Sequence, residues 1–245
     1  MEITKNDLKK EILDMATVVE EALGQLHCFD GSKNVYHLED QINRYHNSVD
    51  DLCFKYLALM RPLAKDLRAA LAIMKMNNDL ERIGDEVINI HLLEKGLSSK
   101  ELRPFLGISQ KVVQMVKDSI DCFVTKNVKM AMNIIESDQL VDQMHKNLIQ
   151  TLINDAGEQT NSKQIIFQLV FISKGLERIG DHATNIAEDV IFMVSGDDVR
   201  HSESMKQRVK GQIKGETLSS DDSSDENEQT PSIVNFLKKK GPLGD

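Results

Sequence analysis

Apolar residues recur along most of this chain at alternating intervals of three and four, the spacing of helices that bury one stripe against near-parallel neighbours. Leu8, Ile12, Met15, Val19 and Leu23 mark a first helix over about residues 5–26, and Asp30-Gly31-Ser32 breaks it. A second helix is predicted over about 35–59. It ends at Arg61-Pro62, because proline disfavours helical backbone in the residue before it. The third carries Ala69, Ile73, Met76, Leu80, Ile83, Val87 and Ile90 to about Lys95, with Pro62 in its first turn. After Gly96-Leu97-Ser98-Ser99 the plan repeats, with helices over about 101–125, 128–155 and from beyond Ser162 to about Ser195. Ile165, Leu169, Ile172, Leu176, Ile179, Ala183, Ile186, Val190 and Met193 line the last of them.

Six long helices joined by short loops predict an all-α fold of two tandem three-helix bundles, an internal duplication. The repeats are expected over residues 1–96 and 97–196. Residues 197–245 should form an acidic, mostly disordered tail, because Ser219 to Glu228 is a serine-rich acidic run without core residues. Beyond it, Ile233-Val234-Asn235-Phe236-Leu237 precedes Lys238-Lys239-Lys240, which reads as a frayed end or a docking peptide.

The polar positions of the third and last helices are repeated too. Glu81-Arg82-Ile83-Gly84-Asp85 and Glu177-Arg178-Ile179-Gly180-Asp181 are identical, 96 positions apart, and each leads to an Asn-Ile pair at Asn89 and Asn185. On a helix the Glu and Asp stand one turn apart, with the Asn a further turn on. Like charges at that spacing cost a few tenths of a kcal/mol, and a mid-helix glycine costs roughly 1 kcal/mol relative to alanine. A bound cation would offset the first cost, and close approach of a neighbouring helix would explain the second.

Each middle helix carries a matching row: Glu39, Asn43 and His46 in one, Asp138, Asp142 and His145 in the other, in register at an offset of 99. Their spacing puts each row within about 60° of arc, hence on one face. Paired with the last helix, the second half offers Asp138, Asp142, Glu177 and Asp181, with Asn185 and His145 near. The first offers Glu39, Glu81 and Asp85, with Asn43, Asn89 and His46 near. Carboxylate-dominated sets suit Mg, Mn, Fe or Zn, and imidazole tilts the choice toward Fe or Zn. The second site should bind more tightly, since Asn43 replaces an acid in the first. Arg82 and Arg178 are the competing partners for the acids.

Composition narrows the function classes. Aromatics are 4 % of 245 residues, Trp is absent and there are four prolines, a helical composition. A net charge of −9 argues against nucleic-acid binding and against broad adsorption to anionic lipid. No apolar run reaches the 18 or so residues a membrane span needs. Cys28, Cys53 and Cys122 lack C-x-x-C spacing and suit packing roles in a reducing cytosol. A cytoplasmic protein without direct membrane insertion is expected. Gly-rich phosphate loops, nucleophile elbows and His-Glu-x-x-His are missing. No catalytic residue is assigned, and an enzyme is not expected.

With these residues in view, the chain resembles the PhoU family of phosphate-transport accessory and regulatory proteins. The likeness lies in the two Leu-Glu-Arg-Ile-Gly-Asp segments, their Asn-Ile pairs, and Arg61-Pro62-Leu63-Ala64-Lys65-Asp66-Leu67-Arg68 before the first. Asp138-x-x-Val141-Asp142, its partner Glu39-x-x-Ile42-Asn43 and Gly196 also match; residues beyond about 200 do not take part. The resemblance implies a cytosolic homodimer binding a multinuclear divalent metal cluster (Fe or Zn, or Mg or Mn). Its ligands would be Asp138, Asp142, Glu177 and Asp181, and Glu39, Glu81 and Asp85. It further implies negative regulation of phosphate uptake and phosphate-starvation signalling. The partners would be the ATPase subunit of the phosphate ABC transporter and a phosphate sensor histidine kinase. Two alternatives stay open: an accessory subunit of a different phosphate permease, and a carboxylate-bridged metal-dependent enzyme or metal store.

Overall fold

Helix α1 (Lys5–Leu23) begins on a reciprocal cap: Thr4 Oγ1 accepts from the Asp7 N–H, and the Asp7 carboxylate accepts from the Thr4 N–H. Two of the four donors left open at a helix start are thereby satisfied. The computed structural model describes residues 3–27, 35–157, 163–200 and 206–211. A 3₁₀ turn (Gly24–His27) closes α1, and α2 (Val35–Met60) and α3 (Ala64–Glu94) complete the first bundle. The second bundle follows as α4 (Ser99–Leu102), a 3₁₀ turn (Arg103–Phe105), α5 (Leu106–Thr125), α6 (Val128–Gly157) and α7 (Lys163–Ser195). There is no strand among the described residues. The fold is the all-α pair of three-helix bundles that the apolar periodicity predicts.

Two local expectations need correction. The helix expected over 101–125 is interrupted, because Ser98 caps the short α4 in a box with Glu101, and Pro104 then sits in the 3₁₀ turn. Proline has no N–H to continue an α-helical ladder, so α5 starts only at Leu106. Pro62 precedes α3 instead of entering its first turn; Leu63 is the N-cap residue and makes no side-chain cap hydrogen bond. The link around Pro62 is tight, with Arg61 and Ala64 both at positive φ (47° and 46°).

Within each bundle the helices pack on all sides of one apolar seam, and α3 and α7 lie side by side between the bundles. Their cross-contacts (Lys75 with Asp189, Asp79 with His182, Glu86 with Arg178, Leu93 with Gln168) run in opposite order along the two helices, so they are antiparallel. Leu80, Ile83, Ile179 and Ile186 are completely buried in the single continuous core. Burying each contributes about 1.5–3 kcal/mol, and α3 and α7, packed against each other along their length, form the structural spine. Cys53 and Cys122 are buried, unpaired packing residues. Burial pushes the Cys53 thiol up to about 12 and raises Cys122 as well.

Gly196, at φ +83°, ends α7 and donates its N–H to Phe192 O. Packing continues past it: Val199 and Val209 are buried, the latter in a short helical segment at 206–211. Cys28, the break at Asp30-Gly31-Ser32, the turn from Glu158 to Ser162 and the tail from residue 212 onward lie outside the described residues.

Candidate metal centre

The two acid rows are brought into register by a glycine and a branched side chain. A Cβ placed on Gly180 would stand 3.2 Å from Val141 Cγ1, and one on Gly84 would stand 2.7 Å from Ile42 Cδ1. A larger residue would require the Ile42 or Val141 side chain to shift before the middle and last helices could approach as closely. The expected close approach of a neighbouring helix therefore accounts for both glycines. Val141 is flanked by Asp138 and Asp142 at −3 and +1, and Gly180 is flanked by Glu177 and Asp181 at the same offsets. Seating one on the other brings the four acids toward one another along the α6–α7 interface.

The electrostatics record that convergence. Burial raises the Asp181 carboxyl to about 6, with the charges of Glu177, Asp138 and Asp142 adding to the effect against Lys174. Asp138 is raised too, first by burial and then by Asp142, while a hydrogen bond from Thr184 Oγ1 (3.3 Å to Oδ1) lowers it. Lys174 holds Glu177. No three Asp, Glu, His or Cys side chains among the described residues close on one point as ligands. The four acids nonetheless form a crowded anionic row that a cation would relieve, and an all-oxygen donor set fits hard or borderline divalent ions.

The first half is arranged differently. Arg82 bridges its own row, with Nε 3.3 Å from Glu81 and Nη1 3.9 Å from Asp85. Glu39 is half-buried on α2, while Asn43 and Asn89 are exposed. Arg178 turns away from its row and pairs with Glu86 of α3 at 2.9 Å. Of the two arginines expected to compete for the acids, one does and one does not.

The histidines and Asn185 are engaged elsewhere. His145 Nδ1 lies 2.8 Å from Ser173 Oγ. His46 Nε2 stands 3.7 Å from Asp50, and its buried Nδ1 has no hydrogen-bond partner. Asn185 donates to Asp79 of α3 at 3.1 Å, and His182 contacts the same oxygen at 2.8 Å. Asp79 and His182 were missed because they differ between the repeats: Gly175 and Glu86 stand at the equivalent positions.

A groove of about 550 Å³ opens beside Asp138 and Asp181, and Arg200, Lys206 and Lys210 form its far wall. Arg200 pairs with Asp189 at 2.6 Å and Glu188 at 3.5 Å, and Lys210 with Glu136 at 2.8 Å. Lys75 of α3 also reaches Asp189, at 3.2 Å. Burial still raises Asp189 to about 6 against both cations. The sequence predicts only a tail beyond residue 196, because the isolated Val199 and Val209 carry no periodic signal of the packed structure they join.

A two-bundle helical body with duplicated acid rows, and no helix among the described residues long and apolar enough to cross a membrane, defines the class. The PhoU domain pattern matches residues 6–91 and again 105–190. The chain belongs to the PhoU family. It is 34% identical over 206 residues to the phosphate-specific transport system accessory protein PhoU homolog of Pseudomonas aeruginosa, spanning 80% of this chain and 85% of that protein. Its identity to PhoU homolog 1 of Thermotoga maritima is 28% over 208 residues, covering 81% and 88%. Among solved structures it is similar to PhoU from Pseudomonas aeruginosa, with TM-score 0.74 and 30% identity over 78% of this chain and 97% of that one. The phosphate transport system regulatory protein PhoU from Streptococcus pneumoniae follows, with TM-score 0.73 and 25% identity over 80% and 97%.

Proposed function

We propose that this protein is a metal-bearing, non-enzymatic adaptor of a phosphate-specific transport system. In this reading it restrains phosphate uptake and phosphate-starvation signalling from the cytoplasm, as a homodimer. Its partners are the ATPase subunit of the phosphate ABC transporter and the phosphate sensor histidine kinase. The relatives' names, which call them accessory and regulatory proteins of phosphate transport, support the general role. The observation that supports the metal is the crowding of Asp138, Asp142 and Glu177 around Asp181, whose carboxyl is raised to about 6 first by burial and then by those neighbouring charges.

The four second-half acids would hold the ion cluster, with Asp138 and Asp142 supplied by α6 and Glu177 and Asp181 by α7. Bound divalent cations supply positive charge that offsets the mutual repulsion and ties the two helices together. Lys174 must release Glu177 for this to happen. Glu81 and Asp85, already served by Arg82, form the weaker set with Glu39.

The test is elemental analysis of the purified protein and of Asp142→Ala/Asp181→Ala, combined with pull-downs of the ATPase subunit and the kinase. Near-stoichiometric Fe, Zn, Mn or Mg that disappears in the double variant is expected, as is capture of both partners by the metal-loaded wild type. A wild type that is metal-free and takes up none of these ions in titration would overturn the metal site. Failure to capture either partner would overturn the adaptor role.

A further inference from the structure

On the side of the spine where α1 and α3 begin and α5 and α7 end, a cavity of about 520 Å³ lies between the two bundles. Its size falls within the range of small-molecule sites, roughly 300–1,000 Å³. Four lysines line it: Lys5, Lys9, Lys65 and Lys126. The one acid among its lining residues, Asp66, is paired with Lys5. Lys65 and Lys126 make no ion pair among the described residues, and Lys9 reaches only a carbonyl, Val124 O at 3.4 Å. In a chain with a net charge of −9 this is a concentrated positive site without matching acids.

The placement of the cations compounds the effect. Lys5 and Lys65 stand in the first turns of α1 and α3, the helix ends that already carry partial positive charge. The α1 end is capped by Thr4 and Asp7, whereas the α3 end has no side-chain cap and its one first-turn acid, Asp66, is shared with Lys5. The Lys9 ammonium is held below the usual lysine range by burial and by Lys126. Apart from Asn6, the rest of the wall is apolar: Ala69 and Val194 present surface to the cavity, with the buried Ile73, Phe123 and Met193 behind them. Cations and apolar side chains lining one cavity ask for a ligand with both characters.

We infer that this inter-bundle cavity binds a phosphorylated organic anion of the nucleoside polyphosphate class, with its phosphates among Lys9, Lys65 and Lys126 and its base against Ala69 and Val194. Lysine ammonium groups are compact charges suited to phosphate oxygens. The chain's own acidic run from Ser219 to Glu228 is the competing occupant by charge, but it has no apolar residue to set against that wall. Inorganic phosphate would leave the wall unused as well. The site is separate from the acid rows of α6 and α7, and its inference does not rest on the adaptor reading. Because it joins residues from both bundles, a bound ligand would bias how they sit against each other.

The experiment is calorimetric titration of the full chain with ATP, inorganic triphosphate and orthophosphate, in chelator so that metal at the acid rows cannot recruit the phosphates. ATP should bind, triphosphate should bind at least tenfold more weakly, and Lys65→Glu/Lys126→Glu should weaken ATP at least tenfold. Both lysines are exposed, so the double variant should keep the wild-type unfolding midpoint, which confirms that affinity and not folding is read. Absence of ATP binding, equal binding of triphosphate, or indifference to the two lysine substitutions would each overturn the inference. The same titration is run with Asp221, Asp222, Asp225, Glu226 and Glu228 changed to their amides. Binding that appears only then would make the acidic run the resident occupant and would also overturn it.

Discussion

Val141 Cγ1 stands 3.2 Å from the point a Cβ on Gly180 would occupy, so α6 and α7 approach where any side chain larger than glycine's would press on Val141. The contact lies between the two acids of each helix, which makes one knob and one hole responsible for the geometry of the whole row. Ile42 and Gly84 repeat the device in the first bundle. Stability and site geometry thus depend on the same two pairs.

Substituting these glycines separates the two roles. Alanine gains roughly 1 kcal/mol of helix propensity, against about 1–3 kcal/mol for overpacking. At Gly84, Ile42 intrudes with Cδ1 at 2.7 Å and Cγ2 at 3.3 Å, so Gly84→Ala is expected to destabilise by about 1 kcal/mol net. Ile42→Ala in the same chain should relieve the clash, seen as a coupling of at least about 0.5 kcal/mol in urea unfolding. Additive effects would show that the contact is slack. Gly180→Ala meets a single atom at 3.2 Å and should change stability little, while lowering the metal retained in elemental analysis.

Asp181 links stability to pH. Its folded pKa of about 6 lies above the roughly 3.9 of an unfolded aspartate, so the native state prefers the protonated form. That contribution is complete below the unfolded value and is lost as pH rises through about 6. Asp181→Asn should therefore stabilise the metal-free protein at pH 8 and reduce the slope of stability between pH 4 and 7. Asp189 and Glu94, raised to about 6 and about 7, keep part of the slope. Urea midpoints in chelator at a series of pH values measure it; an unchanged slope in the variant would refute the assignment.

Metal affinity should fall over the same range. Protons compete for the carboxylates, so divalent-ion binding by the second-half acids is expected to weaken as pH drops through about 6. Titration calorimetry in buffers of different ionisation enthalpy should show proton release on binding at pH 6 and much less at pH 8.

Arg82 is the reason the first row should bind metal poorly. Arg82→Gln together with Asn43→Asp removes the competing cation and restores the acid that the second row has. The expected result is a higher metal content per chain, read by elemental analysis of the variant beside the wild type. No gain in metal would mean that Glu39, Glu81 and Asp85 do not converge.

Arg200 fastens the segment after α7. Its loss leaves Asp189, 3% exposed, with Lys75 alone, and should cost about 1–3 kcal/mol at pH 8. The loss should shrink as pH falls through about 6 and Asp189 takes up a proton. Adding Asp189→Asn should restore most of the stability of Arg200→Ala in urea unfolding. If the cost were unchanged at pH 5, the pairing with Asp189 would not be its source.

The bundles were legible because each amphipathic helix must hide a stripe whose period is written locally. The predicted break after Leu59 appears within a residue of where α2 ends, since proline acts on its immediate neighbour. The Pro104 interruption was not legible: a proline is tolerated in a helix's first turn, and only the Ser98 cap shows that the turn belongs to a separate short helix. The acid rows and the two glycines were readable because the repeat presents each motif twice. Arg178 and Arg82 were not distinguishable, since they occupy identical pentapeptides yet take different partners.

The sequence by itself determined the six long helices, their duplication, the face each acid row occupies and the need for a close helix contact at Gly84 and Gly180. Those are consequences of local periodicity and of what glycine lacks. Tertiary structure alone decided that α3 and α7 form the shared antiparallel spine, that Glu86 captures Arg178, that Asp79 gathers His182 and Asn185, and that four lysines from three chain segments meet around one cavity. These pairings join residues dozens of positions apart, and no local pattern encodes them. They follow from the rigid packing of whole helices, which chooses among partners only after the apolar seams have closed.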